Sequence, residues 1–107
     1  MSIIRILTQR IPKMGKERMI KKYTGDLSRG VQGFQGFKNA TSYWETSCSL
    51  KGGDKSLLTI SEWENYNCWN NWLKYEKRIK IHNKYKVNLK EEKHIVLSKI
   101  CYNIPLL

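Results

Sequence analysis

A chain of 107 residues with 20 Lys+Arg against 9 Asp+Glu, a formal net charge of +11, has room for one domain and one core. The charge favours acidic partners in general, but it is spread along the whole chain and often sits beside Asn, as in Lys38-Asn39, His82-Asn83-Lys84 and Lys86-Val87-Asn88, which reads as compositional bias and speaks against nucleic acid as a partner. Cys48, Cys68 and Cys101 are odd in number and lack metal-ligand spacing, and no run approaches the roughly 18 apolar residues of a membrane span, so a disulfide framework, a structural zinc site and a membrane anchor are not expected and a cytoplasmic location is.

Residues Ile3–Ile11 are β-branched and apolar and stop at Pro12, which has no N–H for a strand ladder, so they predict a first strand. Their early Arg5 and Arg10 are wrong for a signal peptide. Beyond Gly15, the apolar positions Met19, Ile20, Tyr23 and Leu27 fall on one helical face, predicting a helix from Lys16 to Gly30 with a last turn loosened by Gly25. Val31–Phe37 interleaves glycine with aromatic residues and predicts a tight turn into a second strand through Tyr43 and Trp44. The glycines lack the following Lys-Ser/Thr of a phosphate-binding loop.

Lys51-Gly52-Gly53-Asp54 predicts a hairpin connection and Ser56–Trp63 a third strand. Asn65 is placed to cap a second helix, whose apolar side carries Cys68, Trp69, Trp72, Leu73 and Ile79 and whose end carries Lys77, Arg78 and Lys80. A Lys-rich connection then leads to a fourth strand, His94–Tyr102, ended by Pro105. The order βαββαβ predicts an α+β, ferredoxin-like fold, an antiparallel sheet with its helices on one face. A second copy of the chain is the simplest cover for the other face, which predicts a homodimer.

Trp63, Trp69 and Trp72 lie within ten residues. Each indole removes roughly 150–250 Å² from water when buried, so the three either organise the core or line a flat apolar pocket. Trp63 and Trp69 read first as core. The cysteines read as small buried hydrophobes. His94 reads as structural or solvated, and Arg78 as paired with Glu62 or Glu64.

Several pieces carry a family resemblance: Arg10-Ile11-Pro12 before Gly15-Lys16-Glu17, Val31-Gln32-Gly33-Phe34-Gln35-Gly36, Leu58-Thr59-Ile60-Ser61-Glu62-Trp63, and Trp69-x-x-Trp72 with Arg78. In this order they resemble the antibiotic-biosynthesis monooxygenase (ABM) domains, small dimeric α+β barrels. The resemblance implies a monooxygenase-like protein oxidising or binding a small aromatic molecule between sheet and helices. In the quinone-forming, cofactor-independent members the substrate reacts as its anion. Trp63, Trp72, Tyr43 and Trp44 would wall such a site, Thr8 would contact the substrate, and Arg78 or His82 would stabilise the developing charge. The resemblance also extends to haem-degrading monooxygenases, in which a helix Trp is followed ten residues later by the histidine that ligates iron. Trp72 and His82 have that spacing, while Thr8 or Gln9 stands where those enzymes carry a first-strand Asn. An unbroken helix leaves residues ten apart about 15 Å and roughly 80° from each other, so both face one haem only if the helix bends. A third reading is a non-catalytic ligand-binding or stress-response dimer.

Overall fold

Burial alternates along the first strand and sets the rest of the architecture. In the computed structural model, which describes residues 3–45 and 55–98, strand β1 (Ile4–Pro12) buries Ile6, Thr8, Arg10 and Pro12 on one side and exposes Arg5 on the other. Helix α1 (Glu17–Gly30), strands β2 (Phe37–Trp44) and β3 (Leu57–Trp63), helices α2 (Tyr66–Lys74) and α3 (Glu76–Tyr85), a 3-10 turn over Lys86–Asn88 and strand β4 (Leu89–Leu97) follow. The strands form an antiparallel sheet in the order β2-β3-β1-β4. This is the predicted α+β, ferredoxin-like arrangement.

The core is built between that sheet face and the helices. Ile6, Leu57 and Trp63 from the sheet meet Ile20, Tyr23 and Leu27 of α1, Trp69 and Trp72 of α2 and Tyr85 of α3. Helix α1 runs unbroken through Gly25 to Gly30, so the glycine does not loosen its last turn. Asn65 caps α2 as expected, its side chain accepting a hydrogen bond from the Cys68 backbone N–H at 3.0 Å. Gly36 turns the chain into β2 with φ +84°, and a Cβ there would collide with Cys68.

Two elements differ from the sequence reading. The second helix is two helices, because Tyr75 adopts an extended backbone (φ −67°, ψ 129°) and breaks it. The Tyr75 ring lies with Phe34 and Trp72, with centroids 5.1 and 5.9 Å away. The break turns α3 onto α1, and Ile79, expected on the apolar side, is exposed. The fourth strand starts at Leu89, not His94. Its inward positions carry Glu92 and His94 opposite Arg10 and Thr8, so no apolar alternation announces it. The expected hairpin at Lys51–Asp54, Cys48, Cys101 and the strand's predicted end lie outside the described residues.

The sheet face turned away from the helices carries Leu7, Leu58 and Ile60, half-buried, with Tyr43 and Ile95 exposed. Among the described residues, no helix is long and apolar enough to cross a membrane.

Candidate functional site

Strand register assembles a polar row beneath the helices. Thr8 pairs with Thr59 on one side and His94 on the other, and Thr59 pairs with Ser42. Two side-chain hydrogen bonds run along the row, Ser42 Oγ to Thr59 Oγ1 and Thr8 Oγ1 to His94 Nδ1, each 2.8 Å. Above Thr8, Thr59 and His94, and beside Arg10, Ala40 and Ser61, lies a cleft of about 60 Å³. Leu27 and Val31 of α1, Trp69, Trp72 and Leu73 of α2, and Arg78 of α3 roof it, and Trp63 and Phe37 also line it. The two rings meet edge to face, their centroids 5.3 Å apart.

Arg10 and Arg78 bring unequal charge to this cleft. Arg10 is buried, and its Nε donates to Glu92 Oε2 at 2.6 Å while its guanidinium lies 4.8 Å from the centre of the Tyr23 ring. Arg78 is half-buried, its Nη1 lies 3.5 Å from the Leu73 carbonyl oxygen, and it finds no carboxylate partner among the described residues. The pairing expected with Glu62 or Glu64 does not form. Glu62 is taken by Arg5 at 2.8 Å and by the Asn39 amide at 2.6 Å.

Behind Arg10 the polar groups close into a network. The Tyr23 hydroxyl donates to Glu92 Oε2 at 3.0 Å and so accepts from His82 Nδ1 at 2.8 Å. Burial, with help from the Glu92 charge, pushes the Tyr23 hydroxyl up to about 12. Burial also acts to raise Glu92, but the charge and hydrogen bond of Arg10 and the bond from Tyr23 outweigh it and hold the carboxyl below its ordinary value. His94 is held below the usual imidazole value by burial and by Arg10, Arg78 and His82, with Glu92 opposing them. Burial likewise lowers His82, again against Glu92.

The residues expected at a site are therefore divided. Thr8, Trp63, Trp72 and Arg78 line the cleft. Tyr43 does not: its register position puts it on the opposite sheet face, where it is exposed. Trp44 stands beside Leu57 at the end of β2 and packs against the core outside the lining, so Phe37 and Trp69 provide the walls expected of these two residues. His82 lies in the Tyr23–Glu92 network and not in the lining. The break at Tyr75 supplies the bend that a Trp72–His82 haem site needs. The residues nevertheless do not fit a haem in this cleft, since His82, the expected ligand, stands outside its lining and a macrocycle far exceeds about 60 Å³. Among the described residues, no group of three or more His, Cys, Asp or Glu is placed to hold a metal ion. Arg10 and His94 were missed as lining residues. The signal was present in β1, where Thr8 and Arg10 share the strand side of Ile6 and so had to face the interior.

No family model and no curated protein matches the sequence. Solved structures do match in three dimensions. SnoaB, a cofactor-independent oxygenase from Streptomyces nogalater, is 9% identical, with 95% of this chain and 97% of that chain covered at TM-score 0.74. An antibiotic biosynthesis monooxygenase is 8% identical, with 92% and 99% covered at TM-score 0.73. Rv0793 from Mycobacterium tuberculosis is 10% identical, with 94% and 98% covered at TM-score 0.76. At such identities the likeness is one of fold, and it agrees with the order of strands, helices and indoles along the sequence: the chain has the fold of the antibiotic biosynthesis monooxygenases.

Proposed function

We propose that this chain is an ABM-type, monooxygenase-like protein that takes a small electron-rich hydroxyaromatic molecule into the cleft and oxidises it with dioxygen. The observation that carries the reading is the pairing of indole walls, Trp63, Trp69 and Trp72, with an Arg78 guanidinium that has no carboxylate partner among the described residues. Flat apolar walls suit a ring. A guanidinium without an acid suits the oxygen anion of a phenolate, whereas Arg10 is already neutralised by Glu92.

The chemistry needs no oxidant beyond dioxygen. One oxygen atom enters the ring as a carbonyl, the other leaves as water, and the substrate supplies all four electrons as a phenol becomes a quinone. The protein's part is to hold the anion, exclude bulk water and keep the ring against the indoles. Ligand pockets usually measure about 300 Å³ or more, so ring entry requires the half-buried Leu73 side chain to move aside from the narrow cleft while Arg78 stays to meet the anion.

Two copies pairing through the uncovered sheet face complete the proposal. Ile95, Leu7, Ile60 and Thr41 form one row across that face, flanked by Leu58 and Tyr43, and Ile95 and Tyr43 are 42% and 55% exposed in the single chain.

The test is indole fluorescence and oxygen uptake with a panel of hydroxyaromatic compounds. Quenching together with uptake is expected for at least one compound. Quenching without uptake across the panel leaves a ligand-binding protein and overturns the oxidation, and the absence of both overturns the site.

A further inference from the structure

Resting on that reading, the geometry points to His94 as the proton acceptor that ionises the hydroxyaromatic ligand inside the cleft, with Thr8 as its positioning residue. The argument is one of elimination. Apart from His94, the polar groups lining the cleft are threonine and serine hydroxyls, indole N–H groups and the guanidiniums of Arg10 and Arg78. None of these takes a proton at neutral pH. A phenol bound there has one lining side chain to which it can transfer its proton.

His94 is also held in place. Its Nδ1 is 2.8 Å from Thr8 Oγ1, and its ring meets Trp69 edge to face at 5.6 Å. In the tautomer this role requires, Nδ1–H donates to Thr8 Oγ1 and Nε2 carries the free lone pair. The charged groups facing it are Arg10 from β1, Arg78 and His82 from α3 and Glu92 from its own strand; α2 presents the uncharged Trp69. Burial and the two arginines keep the imidazole neutral before the ligand arrives, which is the form a base needs. The step balances without a co-reactant. The ligand O–H bond breaks, its electron pair stays on oxygen, the proton forms an N–H bond at Nε2, and the phenolate faces Arg78 beside a new imidazolium.

The experiment uses the full chain and 4-nitrophenol, whose absorption reports its own ionisation and whose binding is read from indole fluorescence. In the unsubstituted protein, bound probe is expected to be ionised at a pH where free probe is neutral. Its proton passes to the protein, so the heat of binding does not depend on the ionisation enthalpy of the buffer. His94→Gln should retain binding while the ionisation midpoint of bound probe rises by about one pH unit, a tenfold change, and Thr8→Val should raise it part of the way with Thr8→Ser restoring it. Bound probe that stays neutral, or that ionises equally in His94→Gln, overturns the role of His94. If His94→Gln fails to fold, the Thr8 pair decides: equal midpoints for Val and Ser overturn the proposal. Failure of the unsubstituted protein to bind the probe overturns the ligand site itself, a different result from binding without ionisation.

Discussion

Tyr23 on α1 and Glu92 on β4 stand 69 residues apart in sequence and meet hydroxyl to carboxylate at 3.0 Å. The contact ties the helix layer to the edge of the sheet, and the same carboxylate oxygen receives Arg10. Tyr23→Phe keeps the ring and removes the bond. We expect a loss of about 1–3 kcal/mol, read as a lower urea midpoint at unchanged slope. An unchanged midpoint would show that the hydroxyl contributes nothing.

Removing the charge of Glu92 should cost more. Glu92→Gln leaves the Arg10 guanidinium, 5% exposed, without its ion-pair partner. Breaking a buried pair from one side costs about 3–5 kcal/mol. The exposed Lys80–Glu76 pair is the internal control, and Lys80→Ala should change stability by about 1 kcal/mol or less. Similar losses in the two variants, measured by chemical denaturation, would contradict the buried-pair argument.

Stability should fall on both sides of neutrality. His82 and His94 are held below the ordinary 6.5, so as pH drops past that value the unfolded chain takes up protons that the folded chain refuses. Glu92, held below 4.5, extends the loss as pH falls through the carboxylate range. Tyr23 works in the opposite direction. Its hydroxyl stays protonated up to about 12 in the fold against 10.0 ordinarily, so its contribution is complete below pH 10 and is lost between pH 10 and 12. Thermal melting from pH 4 to 11 should trace this plateau, and Tyr23→Phe should flatten its alkaline side.

Gly36 and Gly33 separate backbone strain from collision. Both have positive φ, +84° and +79°, but only at Gly36 does an added Cβ run into Cys68, while at Gly33 it meets nothing within 4 Å. Gly33→Ala should cost about 1–2 kcal/mol, the left-handed penalty alone. Gly36→Ala should cost distinctly more. Equal melting temperatures for the two variants would mean that α2 yields to the methyl group without cost.

The proposed pairing of two copies makes a hydrodynamic prediction. Ile60→Lys places a charge at the centre of the uncovered row. Sedimentation should report a dimer for the unsubstituted chain and a folded single chain for this variant; a single chain in both would remove the dimer.

The fold was legible because β1 alternates with the period of a strand and the buried positions of α1 follow that of a helix, and because Asn65 and Gly36 are local devices whose chemistry is the same in any context. The break at Tyr75 was hidden because Cys68, Trp69, Trp72 and Ile79 satisfy a single helical period across it, and tertiary contacts with Phe34 and Trp72 decide the matter. The start of β4 was hidden because its inward side chains answer Arg10 and Thr8 with charge and hydrogen bonds in place of hydrophobic contact. The site was half legible. Trp63, Trp72, Thr8 and Arg78 announced themselves through residue type or family resemblance, but His94 becomes chemical only when the β1–β4 register sets it beside Thr8.

The strand made first lies between strands made later: β1 is flanked by β3 and β4, and Arg5–Pro12 pairs with residues as late as Leu97. During synthesis, one edge of β1 therefore waits for β3 and the other stays open until nearly all of the described chain has left the ribosome. Such long loop closures slow folding, and an open apolar strand edge is a template for pairing with other chains. Whatever shields that edge during synthesis thus bears on the yield of this protein alongside the stability of its finished core.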